Sequence, residues 1–525
     1  MKKSIQGIGA LLLALLLILG GCLWFARQKS GLFIDEIYTY GLSNSHYAPF
    51  LSYTTGGSLK DTTLSRQQLL DYLVVNDGES LDFGSVYYNQ VRDVHPPLYY
   101  WLMNLACSLT PNVFSYWSGL ILNLFLYLLT AVLLYALCLT LFEDRLIAAL
   151  AALLYGLSGL GLSTMLMIRM YVLMTLLTVQ LALILARMIR RPRPLHYGLF
   201  ALTLFLGLMT QYYFVFYAFF LCLAYGVWRL VRREWKQAFA FALCAFAGVG
   251  LLLLAFPACL DHLFAEKLVS GGNAVENLMD SSQYVWRLGS FCRMTIHGMH
   301  APILAGLLAL LGLGVSRLVR RERSVRFPAL SLLILVPAIP TLLLVAVISP
   351  VLAIRYVYNL APILVLWVCL LLVLLWQTPL FRQSNSRCLL AFVLVLIALW
   401  QGRAVPPDYL YTEYRDYDAI AAAHCEAPCV YLDDNYFAPL TEDIQQLLYF
   451  DEIFVTADPD SAALDEYLAR YADSDEAVVY VDVSEFWSSG FDPEEMLPRL
   501  LESTEYSAWE PLYTTGLSQT FLLTK

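Results

Sequence analysis

The sequence predicts a polytopic α-helical membrane protein with about eleven transmembrane helices and a small C-terminal extracytoplasmic α/β domain. Three observations predict it. Hydrophobic residues make up 59% of the 525 residues, in runs that reach the roughly 20 helical residues needed to cross a hydrocarbon core of about 30 Å. Charge is split between two regions: residues 405–525 carry 26 acidic and 4 basic side chains, a balance of −22, whereas the rest carry 29 basic and 16 acidic, a balance of +13. Arginine clusters also recur in alternate loops, as the positive-inside bias requires of one cytoplasmic face. The domain reading that follows is a membrane module over 1–405, with its first outer loop at 26–112, and an acidic soluble domain over 406–525.

The chain opens with Lys2 and Lys3 before an apolar run ending Leu19-Gly20-Gly21-Cys22. The pattern is similar to a lipoprotein signal, but Gly20 fits it poorly and many spans follow, so it reads as an uncleaved first helix. Apolar runs between charged breaks then place spans at 5–24, 113–141, 146–166, 171–189, 195–210, 212–230, 238–256, 303–315, 327–348, 356–375 and 388–405. The basic clusters Arg187/Arg190/Arg191/Arg193, Arg229/Arg232/Arg233/Lys236 and Arg317/Arg320/Arg321/Arg323/Arg326 fall in alternate loops, and Arg382 and Arg387 continue the series. They orient a cell-membrane, multi-pass protein with its N-terminus cytoplasmic and its acidic C-terminal domain outside. The segment 98–109 is too short to span and too apolar to float. It reads as an interfacial helix with Tyr99, Tyr100 and Trp101 at headgroup level.

In the tail, 429–432, 453–456 and 477–483 are β-rich, and 442–449 and 462–472 have helical periodicity. Alternating strands and helices imply a parallel or mixed sheet. No glycine-rich phosphate loop follows any strand. The 11 cysteines lie mostly in apolar segments, where Cys behaves as a small hydrophobe, and none has zinc-site spacing. Cys425 and Cys429, and less strongly Cys259 and Cys292, are candidate disulfide pairs, with free thiols as the simpler reading.

The unusual charges sit where spans meet the predicted outer surface. Asp35-Glu36 follows the first span, and Asp93-Val94-His95-Pro96-Pro97-Leu98-Tyr99-Tyr100 closes the same loop. Two acidic clusters bracketing a loop at a bilayer surface suit an enzyme with a partly lipidic substrate. A carboxylate such as Asp35 can accept a hydroxyl proton as a glycosidic bond forms and can stabilise oxocarbenium character. Glu36 can orient it, bind a sugar hydroxyl or share a divalent cation; equally, the pair can be a solvated acidic helix start. Pro96-Pro97 sets a rigid turn that fixes Asp93 and His95. Arg169 lies near the middle of an apolar stretch of about 44 residues, and Arg355 opens a late helix. Both oppose the positive-inside bias. They suit a lipid phosphate through forked, charge-assisted hydrogen bonds, or they snorkel to headgroups.

These residues bring out a resemblance. Asp35-Glu36, Asp93-x-His95-Pro96-Pro97-Leu98-Tyr99, Arg169-x-Tyr171, Gln211-Tyr212-Tyr213 and Arg355-Tyr356 resemble the GT-C superfamily of membrane glycosyltransferases. The likeness is to its glycosyltransferase family 39, protein O-mannosyltransferase and aminoarabinose-transferase relatives, over residues 1–400. The resemblance implies a polyprenyl-phosphate-linked sugar donor, Asp35 as catalytic base assisted by Glu36, and inversion at the anomeric carbon. It also implies substrate-binding roles for Asp93, His95, Tyr99, Arg169, Tyr171, Tyr212, Arg355 and Tyr356. The expected partners are that donor, membrane lipid and a cell-envelope glycan, lipid or protein acceptor, with no nucleic acid. The acidic tail lies outside the resemblance, and metal use stays open between none and a divalent cation.

A transporter or flippase of lipid-linked glycans is the main alternative, and an assembly protein with a recruiting acidic tail is the third. Transporters place broken helices or charges near the bilayer midplane. Here the charges gather at the predicted outer surface, which favours the enzyme.

Overall fold

The computed structural model describes residues 2–56, 59–264, 276–320, 326–381, 383–434, 437–484 and 490–525. Arg321, Arg323 and Arg382 of the basic clusters lie outside them. The chain forms two compact units: Met1–Arg27, Val94–Tyr99 and Leu120–Asp408 make one, and Gln28–Asp93, Tyr100–Gly119 and Tyr409–Lys525 the other. The first loop groups with the acidic tail instead of with the membrane helices.

The first unit is the membrane body. Among the described residues, nine helices are long and apolar enough to span: Gly7–Ala26, Tyr116–Phe142, Tyr171–Arg190, Phe214–Val231, Trp235–Ala255, His300–Leu318, Ala329–Ile348, Ile354–Trp376 and Ser384–Ala404. Two further expected spans are altered. The third is a pair, Arg145–Gly156 and Gly159–Leu166, bent by 59°. At the break, Ser158 caps the second helix by accepting from the Gly161 N–H, and Gly/Ser pairs are common sites of such kinks. The fifth, Pro194–Leu208, has only 15 residues, about 22 Å at 1.5 Å per residue and shorter than the hydrocarbon core.

Burial sorts these helices by role. In Tyr171–Arg190, 83% of the apolar window is inside the protein, against 17% for Trp235–Ala255. The former is the hub of the bundle, and the latter turns Phe239, Leu243 and Phe246 outward, as a lipid-facing helix should. At the hub's far end, Arg190 pairs with Glu143 and Arg229 with Glu234. These charges collect at loops joining helix ends.

The second unit is built on a six-stranded mixed sheet, ordered β1-β3-β2-β4-β6-β5. Here β1 is Thr62–Ser65, β2 Cys429–Leu432, β3 Glu452–Thr456, β4 Glu476–Asp482, β5 Ala508–Thr514 and β6 Ser518–Thr524. Strands β3, β2 and β4 are parallel, so each connection between them needs a crossover. Phe437–Glu442 and Ile444–Leu447 supply the first, and Ala462–Ala469 the second. Val430, Phe454, Val479 and Phe521 of the sheet pack with Leu464, Tyr467, Leu497 and Leu500 of the helices. Most of the tail's acidic side chains are exposed or half-buried, whereas Asp433, Glu442, Asp443 and Asp482 are buried. Strand β1 comes from the first loop and pairs antiparallel with β3, Thr62 opposite Val455. The loop's helices Ile34–Asn44, Arg66–Leu73 and Phe83–Arg92 complete the unit.

One smaller expectation changes, and one simpler reading holds. Tyr99 and Tyr100 are fully buried instead of facing lipid headgroups, because helix Leu98–Cys107 packs within the protein. All the described cysteines are unbonded, with Cys429 buried in β2.

Candidate active site

In the membrane unit, five of the expected binding residues, Tyr99, Arg169, Tyr171, Arg355 and Tyr356, lie on a ring of contacts and short turns. The buried Tyr99 hydroxyl donates to Asn123 Oδ1 at 2.7 Å. Asn123 Nδ2 donates in turn to the carbonyls of Met167 at 2.7 Å and Met165 at 3.0 Å. That fastens the turn leading to Arg169, which is buried at 4% exposure. Two residues on, Tyr171 opens the hub helix and packs edge-on against Tyr356 and Tyr358, with centroids 6.5 and 6.2 Å apart. Tyr356 stacks on Tyr213 at 4.6 Å. The turn carrying Tyr213 leads back to Met209, whose carbonyl accepts from the Leu98 N–H at 3.0 Å, one residue before Tyr99. Apart from Asn123, in the third turn of Tyr116–Phe142, these positions are helix ends or turns, so the ring lies toward one end of the bundle.

Arg355 belongs to this ring. It opens the 3₁₀ stretch Ile354–Leu360, and its guanidinium sits 5.5 Å from the Tyr356 ring centroid. The preceding turn is held by a residue that sequence reading passed over. Arg287, buried on helix Tyr284–Gly298, donates from Nε to the Ala346 carbonyl at 3.0 Å and from its terminal nitrogen to Ser349 Oγ at 3.0 Å. Tyr212 faces a different neighbour, its hydroxyl 3.0 Å from His262 Nδ1. His95 is half-buried in the same unit, between the loop and the buried Pro96-Pro97. The signal for Asn123 and Arg287 was polarity in otherwise apolar or loop surroundings. Neither stood near a motif.

In the sheet unit, Asp35 and Glu36 occupy the second and third positions of helix Ile34–Asn44, after the Phe33 cap. Successive helical residues point about 100° apart, and the two carboxylates diverge accordingly. Glu36 is fully buried. Its Oε2 accepts from Lys29 Nζ at 2.9 Å and from the Phe33 N–H at 2.7 Å, one half of a capping box. Asp35 is half-exposed, at the positive end of the helix. Burial pushes the Lys29 ammonium pKa down, and the Glu36 carboxylate opposes that shift.

Asp93 terminates helix Phe83–Arg92, its N–H donating to the Asn89 and Gln90 carbonyls. Its charge acts on the Tyr72 phenol together with Tyr38 and Tyr100, although burial is the main reason that phenol's pKa is raised. Tyr72 packs directly on the Asp35 helix at Gly41, where a Cβ would come within 2.0 Å of the ring. Asp93 and the Asp35 helix are thus drawn around one tyrosine. Among the described residues, no three His, Cys, Asp or Glu side chains group to hold a metal ion.

The helical bundle and its companion sheet have the GT-C fold of membrane glycosyltransferases. The sequence matches the family described as dolichyl-phosphate-mannose-protein mannosyltransferase over residues 94–257, a stretch that holds His95, Tyr99, Arg169, Tyr171 and Tyr212. Two crystal structures of ArnT from Cupriavidus metallidurans share the fold, one bound to undecaprenyl phosphate and one in the apo state. Each is 12% identical, with a TM-score of 0.50, over 98% of both chains. No curated protein sequence matches. Both matches fall among GT-C relatives, as the resemblance implied; the family match takes in His95-Pro96-Pro97 and begins after Asp35-Glu36. The ArnT likeness extends through the acidic tail, which the motifs had left out.

Proposed function

We propose that this protein transfers a monosaccharide from a polyprenyl-phosphate donor to an acceptor hydroxyl at the outer face of the cell membrane, with inversion. The observation that carries this reading is the ring joining Arg169, Tyr171, Tyr213, Arg355 and Tyr356 at one end of the membrane unit. Two cations among tyrosines at helix ends suit a lipid phosphate and the sugar beside it. That a protein of this fold has been seen with undecaprenyl phosphate supports the donor class. In the reaction the acceptor oxygen bonds to the anomeric carbon as the carbon–oxygen bond to phosphate breaks. Asp35 takes the acceptor proton, and polyprenyl phosphate leaves with the bond's electron pair. Arg169 and Arg355 stabilise the charge gathering on that phosphate. Asp93, His95, Tyr99 and Tyr212 are the further substrate-binding residues of this reading, and the acceptor is a cell-envelope glycan, lipid or protein.

The bent pair at Ser158 favours a second reading, a flippase for lipid-linked glycans, since broken helices mark transport sites. One experiment separates them. Purified wild type, Asp35→Asn, Arg169→Ala and Arg355→Ala are given a panel of labelled donors with cell-envelope acceptors, and release of polyprenyl phosphate is followed. Asp35→Asn should lose roughly 10²–10⁴-fold in turnover, the share that general-base catalysis supplies, with donor binding kept. The arginine variants should lose about ten- to hundredfold in donor affinity, matching a charged hydrogen bond of about 1.5–3 kcal/mol. Near-wild-type turnover by Asp35→Asn removes it from the mechanism, and donor movement across vesicles without transfer supports the flippase.

A further inference from the structure

We infer that the acidic C-terminal region is a positioning device for the catalytic carboxylate, acting through Lys29 and Gln445 on the short segment before Asp35. The inference rests on the proposed role of Asp35. Segment 28–33 contains no helix or strand of its own, so its course is set by what holds it. Much of what holds it comes from the tail, and the Tyr116 hydroxyl adds a hydrogen bond to the Ser30 carbonyl at 3.2 Å. Lys29 Nζ donates to the Tyr409 carbonyl at 2.7 Å as well as to Glu36. The Ser30 N–H donates to the Leu410 carbonyl at 2.9 Å. The Ser30 carbonyl accepts from Gln445 Nε2 at 2.9 Å, and Ser30 Oγ accepts from Arg415 at 3.2 Å. Gly31 lies so close to Tyr411 and Tyr414 that a Cβ there would come within 2.5 Å of a ring atom.

The receiving side is rigid in turn. Tyr409 and Tyr411 have φ of 68° and 47°, conformations that non-glycine residues keep only where surroundings enforce them. Gln445 is anchored beyond Ser30, since its amide also donates to Asp418 at 2.9 Å, where Gln446 donates at 2.8 Å. A buried lysine paired with a buried glutamate is weak evidence for stability, because desolvation offsets the attraction. Its geometric consequence is specific. Lys29 binds Glu36 and the Tyr409 carbonyl at once, so the first turn of helix Ile34–Asn44 cannot rotate without breaking one of them. Asp35 is the next residue on that turn. Lys29 is thus a positioning residue for Asp35, and so is Gln445, more than four hundred positions away in sequence.

The test uses full-length protein carrying Lys29→Met or Gln445→Leu, and two readouts. Gln445→Leu keeps the buried ion pair intact and guards against a Lys29 variant that fails to fold. Hydrogen–deuterium exchange should rise in peptides covering 28–44 and stay at wild-type levels in β2 and β4. Turnover per donor-bound enzyme should fall about ten- to hundredfold, since misplacing a catalytic group by about 1 Å costs on the order of 10²-fold, while donor affinity stays within twofold. A loosened fold would instead lower the donor-binding stoichiometry. Unchanged exchange over 28–44 in both variants, or wild-type turnover per bound donor, overturns the inference and leaves the proposed function standing. A wild-type protein that turns over no donor overturns the proposed function itself and the inference with it.

Discussion

Tyr99 gives its hydroxyl proton to Asn123 over 2.7 Å, and both side chains are fully buried. This contact links the conspicuous His95-Pro96-Pro97-Leu98-Tyr99 motif to the turn that presents Arg169. Tyr99 is thus a support for the site's frame as much as a lining residue. The amide of Asn123 is suited to the task because it accepts and donates at once. It accepts from Tyr99 and donates to the main-chain carbonyls of Met165 and Met167, the latter also taking the Arg169 N–H at 2.8 Å.

Asn123→Leu should therefore damage more than its size suggests. It removes a hydrogen bond from each of two buried carbonyls and from the Tyr99 phenol, at about 1–3 kcal/mol for any group left unsatisfied. The expected outcome is a lower melting temperature together with at least a tenfold weaker donor, as the Arg169 turn is released. Tyr99→Phe removes one bond, leaves Asn123 on its carbonyls, and should cost about 1 kcal/mol with donor affinity nearly kept. Donor titration of both variants checks the pair; wild-type affinity in Asn123→Leu would mean that the turn holds itself.

Such relationships mark where sequence reading stops. The hydropathy pattern located the nine spanning helices found among the described residues, because lipid forces the whole backbone to be satisfied within a helix. It did not foresee the break at Ser158, because Leu157-Ser158-Gly159 sits inside an unbroken apolar run and only its neighbours make it bend. Strands β2, β3 and β4 were legible from their β-branched runs. The hairpin of β5 and β6 was not, since Ala508–Thr514 is largely exposed and interrupted by Glu510 and Pro511. Pairing of β1 with β3 joins residues almost 400 positions apart, and no local pattern encodes such a partner. In the site, motif residues were visible one by one. Their division of labour came only with packing: Glu36 turned inward to Lys29, and Asp35 stayed half-exposed.

Orientation is open to a direct chemical test. Cys425 is partly exposed, whereas Cys429 is buried in β2. In intact reduced cells expressing single-cysteine variants, an impermeant maleimide should modify Cys425 and spare Cys429. Cys388, exposed near the start of the last span at its opposite end, should react only after permeabilisation. Labelling of Cys425 only after lysis would reverse the topology and place Asp35 on the cytoplasmic side.

The sheet unit should also grow less stable as pH rises from about 4 to about 7. Burial, and then the neighbouring Asp443 charge, push the Glu442 carboxyl up to about 7. Burial likewise raises Asp443 to about 6, against the hydrogen bonds from Ser518 and Tyr431. Both folded values lie above the ordinary carboxylate range of about 4. The stabilisation they bring is complete below the unfolded value and is lost as pH climbs through the folded one. Glu442→Gln keeps the shape, cannot ionise, and should flatten this slope. At neutral pH the variant should be more stable than wild type by at most roughly 3 kcal/mol, the equivalent of a shift of about two and a half pKa units. Thermal unfolding of both proteins between pH 4.5 and 7.5, read by exchange in β4 and β6 peptides, measures the difference. Parallel slopes would show that Glu442 does not ionise in this range, and the dependence would then belong to Asp443 or to groups outside the pair.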